Sequence, residues 1–393
     1  MEKIILENRG SYLENGKKNR CCSCRACEQA CPAHCISMKY ENGFYYPSID
    51  TGKCIKCGKC LNVCQFSGKT EDVKGQNTDV YAGWSKNSFG KSTSGGIFPV
   101  LAEYVLKQEG YIFGAVFTSD FHVNIIGTCK QDELENMKGS KYTRSDTQKT
   151  YSEVKELLKE GKQILYSGTP CQIAGLKKYL GKTYDNLICV DLICHGLPSE
   201  IVFQQYIKYL EKEQNSMIAE FRFRNKKQGV MGSEYYIVFQ NGKQMRESLS
   251  KNKYSLTYNS LISHMPSCYS CPYASDQRVS DITIGDFWGI EKFNQEAVNG
   301  KGTSVIIANT EKGKQVLNQV SDQVILIPET MEHAKSHNPA LCHSIKKHPM
   351  SERFMREITK KPFDKVYRKY IVWGNKWMLF YRLIRKMKSM LIK

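Results

Sequence analysis

An α/β core, preceded by a small cysteine-rich domain and followed by a basic helical tail, is the architecture the sequence predicts. Three observations carry it. Two cysteine runs of matching spacing fall within residues 18–68. Strand-like and helix-like segments alternate across residues 79–350. From Lys360 to Lys393 eleven basic residues stand against one acidic residue, Asp364, a net of +10.

The chain has 393 residues, of which 41% are hydrophobic, enough for two or three globular segments. No apolar run reaches membrane-spanning or signal-peptide length, which points to the cytoplasm. Seventeen cysteines in a reducing compartment favour metal ligation over disulfides. The formal charge is +18, more than half of it in the last segment, so the main body gives little reason to expect a nucleic-acid partner. Three cubane clusters, each about −2 with its thiolates, would bring the total to about +12.

The first run is Cys21-x2-Cys24-x2-Cys27-x3-Cys31-Pro32, the second Cys54-x2-Cys57-x2-Cys60-x3-Cys64-Gln65. Three thiolates within seven residues wrap three corners of a cubane, and the fourth, displaced along the chain, reaches the other cluster. The spacing therefore predicts a two-cluster ferredoxin-like domain over 18–68. Cys21, Cys24, Cys27 and Cys64 hold one [4Fe-4S] cluster, and Cys54, Cys57, Cys60 and Cys31 the other. Zinc favours two ligand pairs split by a long loop and fits poorly. Gln65 replaces the usual proline, a loss of little expected consequence because proline shapes the chain and ligates nothing. Cys22 and Cys35 lie outside the register and read as spare buried thiols.

The core is read in chain order. "SGGIFPVLAEYVLKQEG" is a helix opened by Gly95 and Gly96, "YIFGAVF" a buried strand and "HVNIIGTC" its partner. "SEVKELLKEG" is an amphipathic helix, "QILYSG" a strand, "QIAGLKKYLG" a helix, "NLICVDLIC" a strand and "SEIVFQQYIKYLEKE" a helix, an order typical of parallel βαβ units. "EYYIVFQNGKQMRE" is a hairpin turning at Asn241-Gly242, and "SDITIGDFWG" ends a further strand.

Three stretches read singly as ordinary helix caps and together as candidate anion sites. "STSGG" (92–96), "KGSKYTRS" (138–145) and "YSGTPCQ" (166–172) combine glycine, hydroxyls and expected helix starts, where free N–H groups favour phosphate. Lys138, Lys141 and Arg144 add charge. No G-x-G-x-x-G follows a strand, so a Rossmann nicotinamide site is not indicated. Cys171 opens a helix after one strand and Cys194 closes the next. Strand ends in a parallel sheet share an edge, so these two can meet the pair Cys268-x2-Cys271. Spacing leaves a third cubane and a zinc site, served by His264 or His195, both open.

The motifs "SGG", "GSKY", "YSGTPCQIAGLK", "CHGLPS", "CYSCPY" and "SDITIGDFWG" resemble, in that order, the beta-subunit family of coenzyme F420 hydrogenases and dehydrogenases, whose relatives include a plastid reductase of hydroxymethyl chlorophyll. The resemblance runs from Cys21 to about Pro349. It implies FAD and a third [4Fe-4S] cluster in the core, the latter held by Cys171, Cys194, Cys268 and Cys271. It places Ser94, Gly95, Gly96, Gly139, Ser140, Lys141 and Tyr142 in the flavin site, with Gly168, Thr169 and Pro170 against the cofactors. Asp286 and Trp288 read first as capping and packing at a strand end, with a proton relay at Asp286 as the catalytic alternative.

The implied function is an iron–sulfur flavoprotein oxidoreductase. It takes electrons from a low-potential carrier such as ferredoxin and passes them as a pair to a small organic acceptor. Members with a fused dicluster domain resemble partners of surface-polysaccharide gene sets, whereas use of F420 itself is not indicated. The alternative is an electron-transfer subunit of a larger complex. In the tail (351–393), Trp377, Phe380, Tyr381, Ile384, Met387 and Leu391 share one helical face opposite basic residues, a pattern for an anionic membrane surface or for docking on protein.

Overall fold

The structure, a computed structural model, describes residues 10–67, 78–87, 92–226 and 233–373. The two cysteine runs flank a hairpin of β1 (Ile36–Glu41) and β2 (Phe44–Ile49), which turns at Asn42-Gly43. Both turn residues have positive φ, as a tight hairpin whose twist matches its strands requires.

The runs repeat each other in backbone as well as in sequence. A short helix follows the second cysteine of each, Ala26–Gln29 and Lys59–Asn62, 33 residues apart. Each helix is preceded by two left-handed residues at equivalent places, Ser23 and Arg25 in one, Lys56 and Gly58 in the other. Three of these four are not glycine, and such conformers persist only where the surroundings impose them.

The core carries β3 (Asp79–Ser85), α1 (Ile97–Leu106), β4 (Tyr111–Phe117), β5 (Val123–Thr128), β6 (Ser145–Asp146), α2 (Thr150–Lys159), β7 (Ile164–Gly168), α3 (Pro170–Leu180), β8 (Leu187–Leu192) and α4 (Glu200–Gln214). A three-stranded antiparallel sheet follows: β9 (Ile218–Lys226), β10 (Ser233–Phe239) and β11 (Gln244–Ser248). The chain then returns through β12 (Ile282–Asp286), β13 (Ser304–Ala308), α5 (Glu311–Gln319) and β14 (Val324–Glu329).

Nine strands form one mixed sheet in the order β14-β3-β13-β12-β8-β7-β4-β5-β6. Its centre is parallel, β12 to β8, β8 to β7 and β7 to β4, as the βαβ order predicts. Its flanks are largely antiparallel: β3, β13 and β14 on one side, β5 on the other. The central strands are buried apolar runs (Ile164, Leu165 and Tyr166; Ile188, Cys189 and Val190), as a sheet covered on both faces requires.

A second apolar core joins α4, β9 and β10, with Phe203, Tyr206, Phe221, Phe223, Tyr235 and Tyr254 in mutual ring contact. Phe44 and Tyr46 of the N-terminal hairpin belong to this core, so the cysteine-rich segment is packed into the molecule. Residues 351–371, counted with the tail from sequence, instead supply Phe354, Ile358, Phe363, Val366 and Tyr370 to it. The amphipathic face from Trp377 to Leu391 lies outside the described residues. No helix among the described residues is long and apolar enough to cross a membrane.

Candidate functional site

The carboxyl ends of β7, β8 and β12 open into a pocket of about 240 Å³, just under the usual small-molecule range of about 300–1,000 Å³. Its wall gathers Ser94, Gly96, Gly139, Ser140, Lys141, Tyr142, Gly168, Thr169 and Asp286, stretches far apart in sequence. Gly95 and Pro170 stand behind this wall. Gly95 donates its N–H to Ser304 Oγ at 2.9 Å, and a Cβ there would lie 2.4 Å from the Gly83 carbonyl, so only glycine lets the loop press onto β3. Two of the anion-friendly loops touch directly, Thr93 Oγ1 to Ser140 Oγ at 3.1 Å.

The three loops differ in what they offer. α1 has Gly96 (φ +77) as its N-cap and no side-chain cap bond, and its first turn, Ile97, Phe98 and Pro99, lines the pocket with two backbone N–H groups, since Pro99 has none. α3 is closed by its own sequence: Thr169 and Gln172 form a capping box around Pro170. The 138–145 loop precedes no helix at its lysines. Lys141 Nζ donates to the carbonyls of Asn136, Met137 and Lys138 at 2.8–3.1 Å. Burial pulls its pKa to about 7, while the three carbonyls favour the charged form. Lys138 pairs with Glu135.

Arg144 lies away from the pocket. It is buried, bonds Asp146 at 2.9 Å and Glu200 at 3.3 Å, and sits 4.7 Å over the ring of Tyr45. Arg25 of the first cysteine run grips the same Asp146 with two nitrogens. This charge network locks the N-terminal segment to the core.

The sequence reading missed the basic residues of β9. In "IAEFRFRNK" the phenylalanines face the aromatic core, so Arg224 and Lys226 face the pocket side, a period-two signal the strand carries openly. Arg224 pairs with Asp286, donates to Tyr142 Oη at 3.4 Å and lies 5.8 Å from the ring of Trp288. Lys226 donates to the Ser94 carbonyl. Burial and the neighbouring Arg224 lower its pKa to about 8. Asp286 therefore meets the pocket already ion-paired.

The thiols fall into three groups. Cys21, Cys24, Cys27 and Cys64 line one apolar cavity, together with Cys22 and Gln65. Cys31, Cys54 and Cys60 pack together with Cys35, whose Sγ is 3.3 Å from that of Cys31, while Cys57 is exposed. Cys194 lines the pocket, Leu197 donates its N–H to Cys268 Sγ at 3.3 Å, and charge on Cys171 and Cys271 raises the pKa of both Cys194 and Cys268. Burial first, and like-charged neighbours second, push the thiols of Cys21, Cys27 and Cys268 up, Cys194 to about 12 and Cys271 to about 11. Cys24 goes the other way, pulled down to about 7 by its hydrogen bond with Cys22. Four thiols of the two N-terminal runs around one apolar cavity are a donor set that fits an iron–sulfur group.

His264, 1% exposed, has no partner for either ring nitrogen among the described residues, and burial lowers its pKa to about 3. No three His, Cys, Asp or Glu side chains among the described residues surround a single metal ion.

Residues 20–67 match the family model of the 4Fe-4S dicluster domain, which makes the chain an iron–sulfur electron-transfer protein. Residues 161–333 match the model for the C-terminal part of the coenzyme F420 hydrogenase/dehydrogenase beta subunit. Among solved structures, a chain of the F420-reducing [NiFe] hydrogenase complex from Methanosarcina barkeri is similar at 16% identity and a TM-score of 0.45, covering 76% of this chain and 93% of that one. No curated protein matches the chain.

Proposed function

We propose that the protein is a flavin- and cluster-dependent reductase that gathers single electrons and delivers them in pairs to a small organic acceptor. The observation that carries this reading is the pocket itself: an uncapped helix N-terminus and the hydroxyl-rich loops face Cys194 of the core thiol group across one cavity. In this reading the pocket would hold FAD, which would supply one-electron exchange on the cluster side and two-electron exchange on the acceptor side. Cys21, Cys24, Cys27 and Cys64 hold one cluster, Cys31, Cys54, Cys57 and Cys60 a second, and Cys171, Cys194, Cys268 and Cys271 a third.

The chain's own residues do the rest. The open N–H groups of α1 receive phosphate. Arg224 holds Asp286 at the pocket wall, where the carboxylate can accept or return a proton. The half-buried rings of Tyr258 and Tyr142, in edge contact, exclude water from one side. Electrons arrive at the second cysteine run, where exposed Cys57 and Ile55 are flanked by exposed Lys53, Lys56 and Lys59, a surface for an acidic carrier such as ferredoxin. Surface-polysaccharide synthesis is the setting proposed for the acceptor, and the basic tail is proposed to hold the protein at an anionic membrane face.

Reduction of anaerobic protein with dithionite, followed by addition of candidate small acceptors, tests the proposal. Reoxidation of the isolated chain is expected. Reoxidation only with a second protein present would support an alternative, an electron-transfer subunit. One observation favours that alternative: Trp288, at the pocket mouth beside Arg224, is 48% exposed and offers apolar surface to a partner.

A further inference from the structure

The two cysteine runs differ at one position that the fold exploits. Pro32 follows Cys31, whereas Gln65 follows Cys64. The Gln65 side chain is 5% exposed and crosses from the N-terminal segment into the core. Its Nε2 donates to the Cys171 carbonyl at 2.7 Å and to Cys22 Sγ at 3.0 Å, and it faces Cys24 Sγ at 3.8 Å. Its Oε1 finds no donor among the described residues. The acceptors on the nitrogen side therefore set the amide's orientation, although a buried carbonyl without a partner costs about 1–3 kcal/mol. A proline or an apolar residue would avoid that cost and would leave the sulfurs without their N–H.

Cys22, outside the ligand register, occupies the same gap and interacts with both Cys171 and Cys24. The helix on the core side is shaped to let it close. Gly175 lies one turn after Cys171 on α3, and a Cβ there would stand 3.0 Å from Cys24 Sγ. The path from Cys24 to Cys171 thus runs through two groups, the Gln65 amide and the Cys22 sulfur.

Resting on the function proposed above, we propose that Gln65 and Cys22 form the electron-transfer junction between the N-terminal thiolate group (Cys21, Cys24, Cys27, Cys64) and the core group (Cys171, Cys194, Cys268, Cys271). Neither is a ligand; both are positioning residues. One electron, first supplied by a reduced one-electron carrier protein, crosses from the N-terminal side, which is oxidised, to the core side, which is reduced. No bond forms or breaks and no proton crosses. An N–H aimed at thiolate sulfur favours the more negative, reduced state, so the Gln65 amide raises the potential on the N-terminal side.

The test uses full-length protein purified without oxygen, as wild type, Gln65→Met, Gln65→Asn and Cys22→Ala. Iron and sulfide are assayed, and potentials are read by EPR-monitored redox titration. Iron content is expected to stay at the wild-type level in all variants. Gln65→Met is expected to lower the potential of one N-terminal cluster by a tenfold change in its reduction equilibrium, about 59 mV for one electron. Gln65→Asn, which draws the donor back by one methylene, is expected to shift it the same way and decides the matter if the methionine variant does not fold. Full iron content with unmoved potentials would overturn the junction alone. Loss of one cluster's iron in Cys22→Ala would overturn it too, by making Cys22 a ligand. Wild-type protein without iron would overturn the proposed function and the junction with it.

Discussion

Asp146 is the hinge-pin of the contact between the cysteine-rich segment and the core, and its replacement by asparagine gives a measurable consequence. The carboxylate is almost fully covered and is held by Arg25 from one side and Arg144 from the other. Burial alone would push its pKa up. The Arg25 hydrogen bond and the charges of both arginines outweigh burial and hold it at about 2, below its ordinary 3.8. At about 1.4 kcal/mol per pH unit that depression is worth about 2 kcal/mol of folding free energy.

The sign follows from the direction. A carboxylate depressed in the folded state stabilises fully above its unfolded pKa, near 4, and the contribution fades as pH falls toward 2. Asp146→Asn is therefore expected to lower stability by about 2 kcal/mol at pH 7 and by the same amount at pH 5. Anaerobic urea unfolding at both values measures it. Arg144 keeps Glu200 and Arg25 keeps Glu28 as partners, so the loss stays well below that of a stranded buried cation. A difference under about 0.5 kcal/mol at pH 7, or one that vanishes between pH 7 and 5, would refute the reasoning.

Three further outcomes are expected. Gly175→Val forces bulk against Cys24 and Tyr151, and thermal unfolding should show a loss of about 1–3 kcal/mol. Cys57→Ser should remove about one third of the iron measured by chemical analysis, because it breaks one of three proposed clusters while leaving the buried thiol groups in place. Gly95→Ala drives a methyl into the Gly83 carbonyl and pushes the loop off β3, so flavin retention after gel filtration should weaken by about tenfold, a cost of about 1.4 kcal/mol.

Much of this molecule is legible in the sequence because its signals are local. The structure gathers Cys21, Cys24, Cys27 and Cys64, which the spacing groups, around one cavity, together with Cys22, which the spacing leaves out. The βαβ run from Ile164 to Gln214 reads correctly because α3 opens on a capping box, both helices end at a left-handed residue (Gly181 and Asn215) and each strand is a short apolar run. The missed parts are non-local. β13 and β14 pair with β3, more than two hundred residues earlier, and no turn signal announces that pairing. Arg144 reads as an anion ligand beside Lys141, but its charge is consumed by Asp146 and Glu200, partners visible only once the chain folds. The bulky residues from Phe354 to Tyr370 read as the start of a basic tail, yet their apolar side chains fill the aromatic core. Gln65 reads as a harmless replacement for proline until Cys171 is placed beside it.

Three filled thiolate groups and a filled flavin pocket in one chain are the centre of the proposed chemistry. Protein purified without oxygen should be brown, with about twelve irons, about twelve acid-labile sulfides and about one flavin per chain. A colourless preparation lacking labile sulfide and flavin would contradict the account.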